Sequence, residues 1–306
     1  MIEPTYHIPV LLDESLEALD IKDDGVYVDS TLGGGGHTRG ILSRLGKKGK
    51  LIVFDRDAEA IRNAPDDSRV IPVHNNFRFI HNFIHYLGFE QVDGILADLG
   101  VSSHQFDTSE RGFSFRFEDA ELDMRMNTMG KITAKDILNH FEEEKIADIL
   151  HRYGELENSR RAASLICKSR AVRPIQTSKD LTEALNSILP PVNGHKVLAR
   201  IYQALRIEVN GEMSSLEHFL DGAALSLNKG GRFVIITYHS LEDRMVKNFI
   251  KSGKAGGSDE SPEMRIYGIR KPMVKALNRK PIVPSENEIR NNTRARSAKL
   301  RICEKL

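Results

Sequence analysis

The chain has 306 residues, 40% hydrophobic and 28% charged, with two cysteines and a formal net charge of +1; this is the make-up of an ordinary globular protein of one large or two modest domains. It excludes a disulfide scaffold, because Cys167 and Cys303 stand far apart without a metal-ligand spacing. It also excludes a bundle of membrane spans, since no run approaches the ~18 apolar residues needed, and the opening MIEPTYHIPV lacks a signal-peptide pattern, so a cytoplasmic location is expected.

The first predicted element is a helix, with Leu11, Leu12, Leu16 and Leu19 on one face and Pro9 just before it. Val26 and Val28 then mark a short buried strand ending at Asp29, and four glycines follow, Gly33 to Gly36. A helix starts near Thr38 and runs through Ile41, Leu42 and Leu45 to Gly46. Leu51 to Phe54 is the second strand, with Asp55 at its carboxyl end. Strand, glycine turn, helix, strand and acid make one βαβ unit of a nucleotide-cofactor fold. Glycine lets the backbone turn sharply and approach a ligand. Asp55 lies 19 residues beyond Gly36, near the ~20-residue spacing at which an acid meets ribose hydroxyls. A tight loop beside a solvated aspartate is the bland alternative.

The ligand is not read as a dinucleotide. Gly-x-Gly-x-x-Gly counted from Gly33 needs glycine at Thr38, and counted from Gly34 needs it at Arg39. A phosphate-binding Gly-Lys-Ser/Thr loop is absent too. The alternation Asp29, Thr31, Gly33, Gly35 instead resembles the first motif of S-adenosylmethionine (SAM) methyltransferases.

Val70 to His74 is the third strand, followed by Asn75, Asn76 and Phe77. From local sequence Phe77 is read as a core residue at the sheet edge, with stacking on an adenine ring as the alternative. Val92 to Leu96 is the fourth strand and leads into DLGVSSHQFD, with Asp98 at its end. Ligands of open parallel sheets bind beyond the strands' carboxyl ends. Asp29, Asp55 and Asp98 all fall there, which isolated capping acids explain less readily together than singly.

The alternation of strands and helices then stops. Residues 109–130 mix aromatics, arginines and acids without a clean period. Phe113, Phe115 and Phe117 alternate as one face of a short core strand would, with RNA contact as the other possibility. Thr133 to Asp136 resembles a capping box, followed at helical spacing by apolar residues from Ile137 to Leu150. Further helices are predicted over Asn158 to Ser169 and from Thr177 to before Pro190. No strand is expected in this stretch. The expected architecture is α/β: a Rossmann-like, mostly parallel sheet formed by residues 1–105 and 196–306, interrupted by an all-helical insertion, 106–195.

After the insertion, helices are predicted over Val197 to Val209 and Leu216 to Leu227, then a turn at Asn228 to Gly231 and a fifth strand, Arg232 to Thr237. His239, Ser240 and Glu242 follow its carboxyl end; His239 is either a base or substrate contact, or the cap of a helix over Leu241 to Ile250. Residues 252–262 are loop-like, and a last strand is predicted at Ala298 to Cys303. Residues 265–306 hold 12 Lys/Arg against 3 Asp/Glu, whereas the rest of the chain holds 32 against 40. A basic segment on an acidic body points to an anionic partner, nucleic acid first.

The strings HIPVLLDE, STLGGGGHT, FDRD, DGILADLGVSS, ERGFSFR, LDMRM, ALRIEVNGE, YHSLEDR and NTRARSAKLR, in this order from His7 to Arg301, resemble the bacterial small-subunit ribosomal RNA N4-cytidine methyltransferases, the MraW-like family. The resemblance implies a class I SAM-dependent methyltransferase core with a helical insertion that recognises RNA. It implies SAM as cofactor and a cytidine in the decoding region of small-subunit ribosomal RNA, free or in the ribosomal particle, as substrate. It carries cofactor contacts over to Gly35, Gly36, His37, Asp55, Phe77, Asp98 and Gln105, and so moves Phe77 from core residue to cofactor contact. Gly34 stands where the family often has another residue, which loosens the turn.

Methylating an exocyclic amine is largely a matter of placing its nitrogen and accepting its N–H groups as charge develops. DLGVSS follows the fourth strand, so Asp98 and the Leu99 carbonyl are the catalytic candidates, with a SAM contact as the competing role for Asp98. No metal and no covalent nucleophile is called for. A small-molecule SAM methyltransferase and a non-catalytic RNA-binding assembly factor are the two rival functions; monomer or dimer is left open.

Overall fold

The computed structural model describes residues 9–255 and 272–306. The chain forms two compact units, one of Met1–Gly100 with Met213–Leu306 and one of Val101–Glu212. The first opens with α1 (Leu12–Ala18), β1 (Val26–Asp29), α2 (Gly36–Arg44), β2 (Lys50–Asp55), β3 (Val70–His74), α3 (Ile80–Tyr86) and β4 (Val92–Asp98). The second holds α4 (Ser103–Asp107), α5 (Ala134–His140), α6 (Glu143–Gly154), α7 (Ser159–Val172), α8 (Ser178–Leu185) and α9 (Gly194–Asn210). The chain then returns through α10 (Glu212–Ser226), β5 (Leu227–Thr237), α11 (Ser240–Ser252), β6 (Val274–Ala276) and β7 (Lys299–Lys305).

The sheet has the order β3-β2-β1-β4-β5-β7-β6. Strands β1 to β5 pair in parallel, while β7 runs antiparallel to both β5 and β6. Reversal of order at β1 and β4 makes a topological switch point there, and the whole is the Rossmann-like class I methyltransferase arrangement. Strand alternation feeds two apolar layers. Val28, Ile52, Phe54, Ile95, Phe233 and Ile235 enter one cluster, completed by Leu216, Phe219 and Phe249. Tyr27, Leu51, Val53, Leu96, Val234 and Ile236 enter the other, completed by Leu16, Leu19 and Ile41. Both faces of the central strands are thus buried, and only their ends remain for chemistry.

Asn228 to Gly231 is not a turn ahead of the fifth strand. It lies within β5, where the β4 register jumps from Val92↔Leu227 to Gly94↔Arg232 and accommodates the extra residues as a bulge. The β6 strand carries too little pattern in its three residues to be foreseen.

The second unit has its own core of Phe113, Leu122, Ile137, Leu150, Ile166, Leu181, Ile201 and Leu205, among others. It contains no strand among the described residues, only a bridge between Glu121 and Thr177. Its bounds differ from 106–195: α9 belongs to it, because Leu198, Ile201, Tyr202 and Leu205 pack into this core. The apolar run Ile137 to Leu150 breaks at Phe141 into two helices. Phe113, Phe115 and Phe117 form no strand. Arg111 donates to the carbonyls of Arg125 and Met126 and holds that segment as a loop. Phe113 is buried and Phe115 lies edge-on to Tyr202 at 5.4 Å.

Among the described residues no helix is long and apolar enough to cross a membrane. Of the predicted loop 252–262, residues 256–262 lie outside the described residues, as does His7.

Candidate active site

The carboxyl ends of β1, β2 and β4 converge around the turn that leads into α2. Asp29 ends β1 with no solvent exposure. Its Oδ1 accepts from the Thr31 N–H at 3.0 Å and its Oδ2 from the Thr38 hydroxyl at 2.6 Å. This ties the start of the turn to the first residues of the helix. Gly33 (φ +49°) and Gly35 (φ +75°) both adopt left-handed backbone, which only glycine takes without strain. A Cβ on Gly35 would stand 3.0 Å from an Arg39 nitrogen, and one on Gly36 would stand 2.9 Å from Pro9 Cγ. Gly36 is therefore required by the packing of Pro9, whatever else it touches.

Asp55 ends β2 and holds this turn closed. Its Oδ2 accepts from the Gly33 N–H and its Oδ1 from the Asp57 N–H, each at 2.9 Å. Burial raises its carboxyl to about 6; the two N–H donors pull it back, and the like charges of Asp57 and Asp29 push it up further. Each oxygen keeps a lone pair after these bonds, as hydroxyl donors of a sugar would require.

Asp98 ends β4. Its N–H donates to the Thr31 hydroxyl at 2.7 Å. Its Oδ1 accepts from the Tyr238 hydroxyl at 2.7 Å, and its Oδ2 lies 3.8 Å from His37 Nδ1. Its side chain keeps 24% of its surface exposed. Burial again raises the carboxyl to about 6, against the pull of His37 and Tyr238 and with the push of Asp29 and Glu242. His37 itself is buried and its Nε2 lies 3.1 Å from the Val10 carbonyl.

The structure thus gathers Gly35, His37, Asp55 and Asp98 at one edge of the sheet, with Gly36 beside them in the first turn of α2. Phe77 begins a short 3-10 turn beyond β3, half-buried, its ring 4.8 Å from Phe219. It is a core contact that stays partly exposed. Gln105 belongs to the helical unit. It is buried there in a capping box, its Oε1 accepting from the Ser102 N–H and its own N–H donating to the Ser102 hydroxyl. His239 caps α11: its Nδ1 accepts from the Glu242 N–H, and Glu242 Oε2 accepts in return from the Tyr238 and His239 N–H groups.

Sequence alone places Thr31 in the turn motif and Thr38 at the helix start without a role for either hydroxyl, and it does not point to Tyr238. Thr31 lies in the turn and Thr38 in the first turn of α2, where their hydroxyls meet the Asp98 N–H and the Asp29 carboxylate. Tyr238 adjoins His239 in the string YHSLEDR, and nothing in that string marks a partner 140 residues away.

A cationic, ribose-bearing ligand fits this edge. Two carboxyls are desolvated without being driven to ordinary acidity by a paired cation, so positive charge nearby favours their ionised forms.

Residues 4–306 match the sequence model of the MraW methylase family. A Bacteroides fragilis protein named ribosomal RNA small subunit methyltransferase H is 53% identical over 303 residues, covering 99% of this chain and 98% of that one. Its namesake from Flavobacterium johnsoniae is 52% identical over 301 residues, covering 98% of each. That from Christiangramia forsetii is 48% identical over 306 residues and covers 100% of each. Among solved structures, a putative rRNA-methylase from Clostridium thermocellum has a TM-score of 0.46 at 14% identity, covering 98% of this chain and 100% of that one. A likeness at that level carries no argument about function. Whole-length agreement with the family, at about half identity to its curated relatives, has one consequence: this chain belongs to the MraW methylase family.

Proposed function

We propose that the chain transfers a methyl group from SAM to the exocyclic N4 of a cytidine in the decoding region of small-subunit ribosomal RNA. The observation that supports this best is the convergence of Asp29, Asp55 and Asp98 on one glycine turn at the switch point of a parallel sheet. When bound, SAM supplies a methyl on a sulfonium, an electrophile that needs no metal.

The chain's own residues supply the rest. Asp55 accepts the ribose hydroxyls with the lone pairs its backbone bonds leave free. Gly35, Gly36 and His37 line the turn beside the amino-acid end, and the half-buried Phe77 meets the adenine. Gln105 is assigned a cofactor contact by family resemblance alone. Asp98, with a carboxyl near 6, is mostly ionised at neutral pH and accepts an N–H of the cytosine amine. Methylation leaves that nitrogen with one proton too many, and Asp98 takes it. The partly open carboxylate then releases it to solvent.

The helical unit is assigned to RNA recognition. Exposed Arg279, Lys280 and Arg296 of the basic C-terminal segment offer charge to phosphates. A cytoplasmic location follows from such a substrate. The test is labelled-methyl transfer to free small-subunit RNA, to small-subunit particles and to a metabolite pool, with digestion to nucleosides. Label in N4-methylcytidine from RNA or particle is the expected result. Label in a metabolite, or in none while SAM still binds, overturns the assignment.

A further inference from the structure

We infer that Tyr238 is a positioning residue of the methyl-transfer site, holding the Asp98 carboxylate and the backbone turn beyond it in the orientation that receives the amine. This rests on the role proposed above for Asp98. Tyr238 is the first residue after β5, and β5 pairs with β4 so that Asp98 lies opposite Ile236. Two residues further along the same strand direction, the phenol reaches across and donates to Asp98 Oδ1 at 2.7 Å.

Tyr238 is itself fixed. Its N–H donates to Glu242 Oε2 at 2.9 Å, and Glu242 is buried in the capping box of α11. Its ring lies against Gly100, where a Cβ would stand 3.4 Å from ring Cδ2, at a φ of +102°. One side chain therefore supports both the carboxylate and the turn that follows Leu99, whose N–H donates to the Ile236 carbonyl at 3.0 Å. Burial, together with the adjacent Asp98 charge, raises the phenol well above its ordinary range, so it remains a donor throughout the working pH range.

The consequence is a carboxylate with one oxygen committed. The Asp98 N–H is held by Thr31 and Oδ1 by the phenol, which leaves Oδ2 toward His37 Nδ1. The Val10 carbonyl can only accept, so His37 Nε2 carries the proton it donates there. The groups acting on Asp98 are His37 from α2, Asp29 from β1, Glu242 from α11 and Tyr238 from the end of β5. Of these, His37 and the phenol favour its ionised form.

Tyr238→Phe keeps the ring against Gly100 and removes only the donor. With carboxyl-labelled aspartate, and Asp98→Asn to assign the signal, the Asp98 titration moves upward from about 6 by about one pH unit in this variant, the scale of one charge-assisted hydrogen bond. In methyl transfer kcat at pH 6.5 falls about threefold, KM changes little, and most of the rate returns at pH 8.5 as Asp98 ionises. Replacement of Tyr238 by 3-fluorotyrosine, a stronger donor of the same shape, moves the titration downward and covers the case in which the phenylalanine variant folds poorly. An Asp98 titration unchanged by either replacement, or a rate loss equal at every pH, overturns the inference. The titration needs no RNA, so a wild-type protein that methylates no RNA yet shows these shifts refutes the proposed function and not the Tyr238–Asp98 link.

Discussion

In the sheet unit, Asp55 and Asp98 end their strands with carboxyls that burial raises to about 6. In the helical unit, Asp136 and Asp180 sit at the third position of α5 and α8 with carboxyls held below the ordinary range. Partial burial pushes these two upward as well. It is outweighed at Asp136 by the hydroxyl and N–H of Thr133, and at Asp180 by the N–H groups of Gln176 and Thr177 with the Thr177 hydroxyl. The same side chain thus does two jobs. A capping aspartate spends its charge on the start of its own helix and, at Asp180, also on Arg173. An aspartate at a strand end is left short of positive charge, which is the condition for holding a cationic donor or taking a proton.

Removing one acid from each place tests that division. Asp98→Ala should lower methyl transfer by about 10²- to 10⁴-fold, the range for a lost general base or charge-stabilising group; an unchanged single-turnover rate would remove Asp98 from the reaction. Asp55→Asn should weaken SAM binding by about 10- to 100-fold, as loss of charge-assisted hydrogen bonds does, measured by calorimetry on protein whose folding is checked by circular dichroism. The pH response should follow. SAM affinity should rise about tenfold from pH 5 to pH 7 as the acids near 6 ionise, and Asp55→Asn should flatten the rise.

Stability without ligand should run the other way. A carboxyl raised above its unfolded value of 3.8 to about 6 binds its proton more tightly when folded. Its contribution therefore falls as pH rises through that window and is level above it. The capping acids contribute stability above the unfolded carboxylate range and lose it as pH falls through their lowered values. Thr177→Ala should accordingly cost about 1 kcal/mol of stability in denaturant and leave SAM affinity unchanged; a weakened affinity would show that the helical unit shares in donor binding.

What was legible in the sequence is what is local. The βαβ unit, its glycine turn and the acids ending β1, β2 and β4 come from short-range pattern, and Thr133 and Thr177 signal their capping boxes within four residues. The site's electrostatics are not local. Tyr238 meets Asp98 across 140 residues of chain, and His37 and Glu242 act on the same carboxyl from two different helices. No periodicity reports such a meeting. The aromatic alternation at Phe113, Phe115 and Phe117 misled for a related reason: carbonyls offered by Arg125 and Met126 hold Arg111, and a tertiary clamp overrides a period of two. The apolar face of α9 does not by itself say which core will take it, and it packs into that of the helical unit.

The most direct measurement is a calorimetric titration of the full chain with SAM at pH 5.5 and pH 7.5, each in two buffers of different ionisation heat. One site per chain, with protons released at pH 5.5 and almost none at pH 7.5, is the result this arrangement of carboxyls predicts. Absence of binding heat from folded protein, or proton release equal at both pH values, would contradict it.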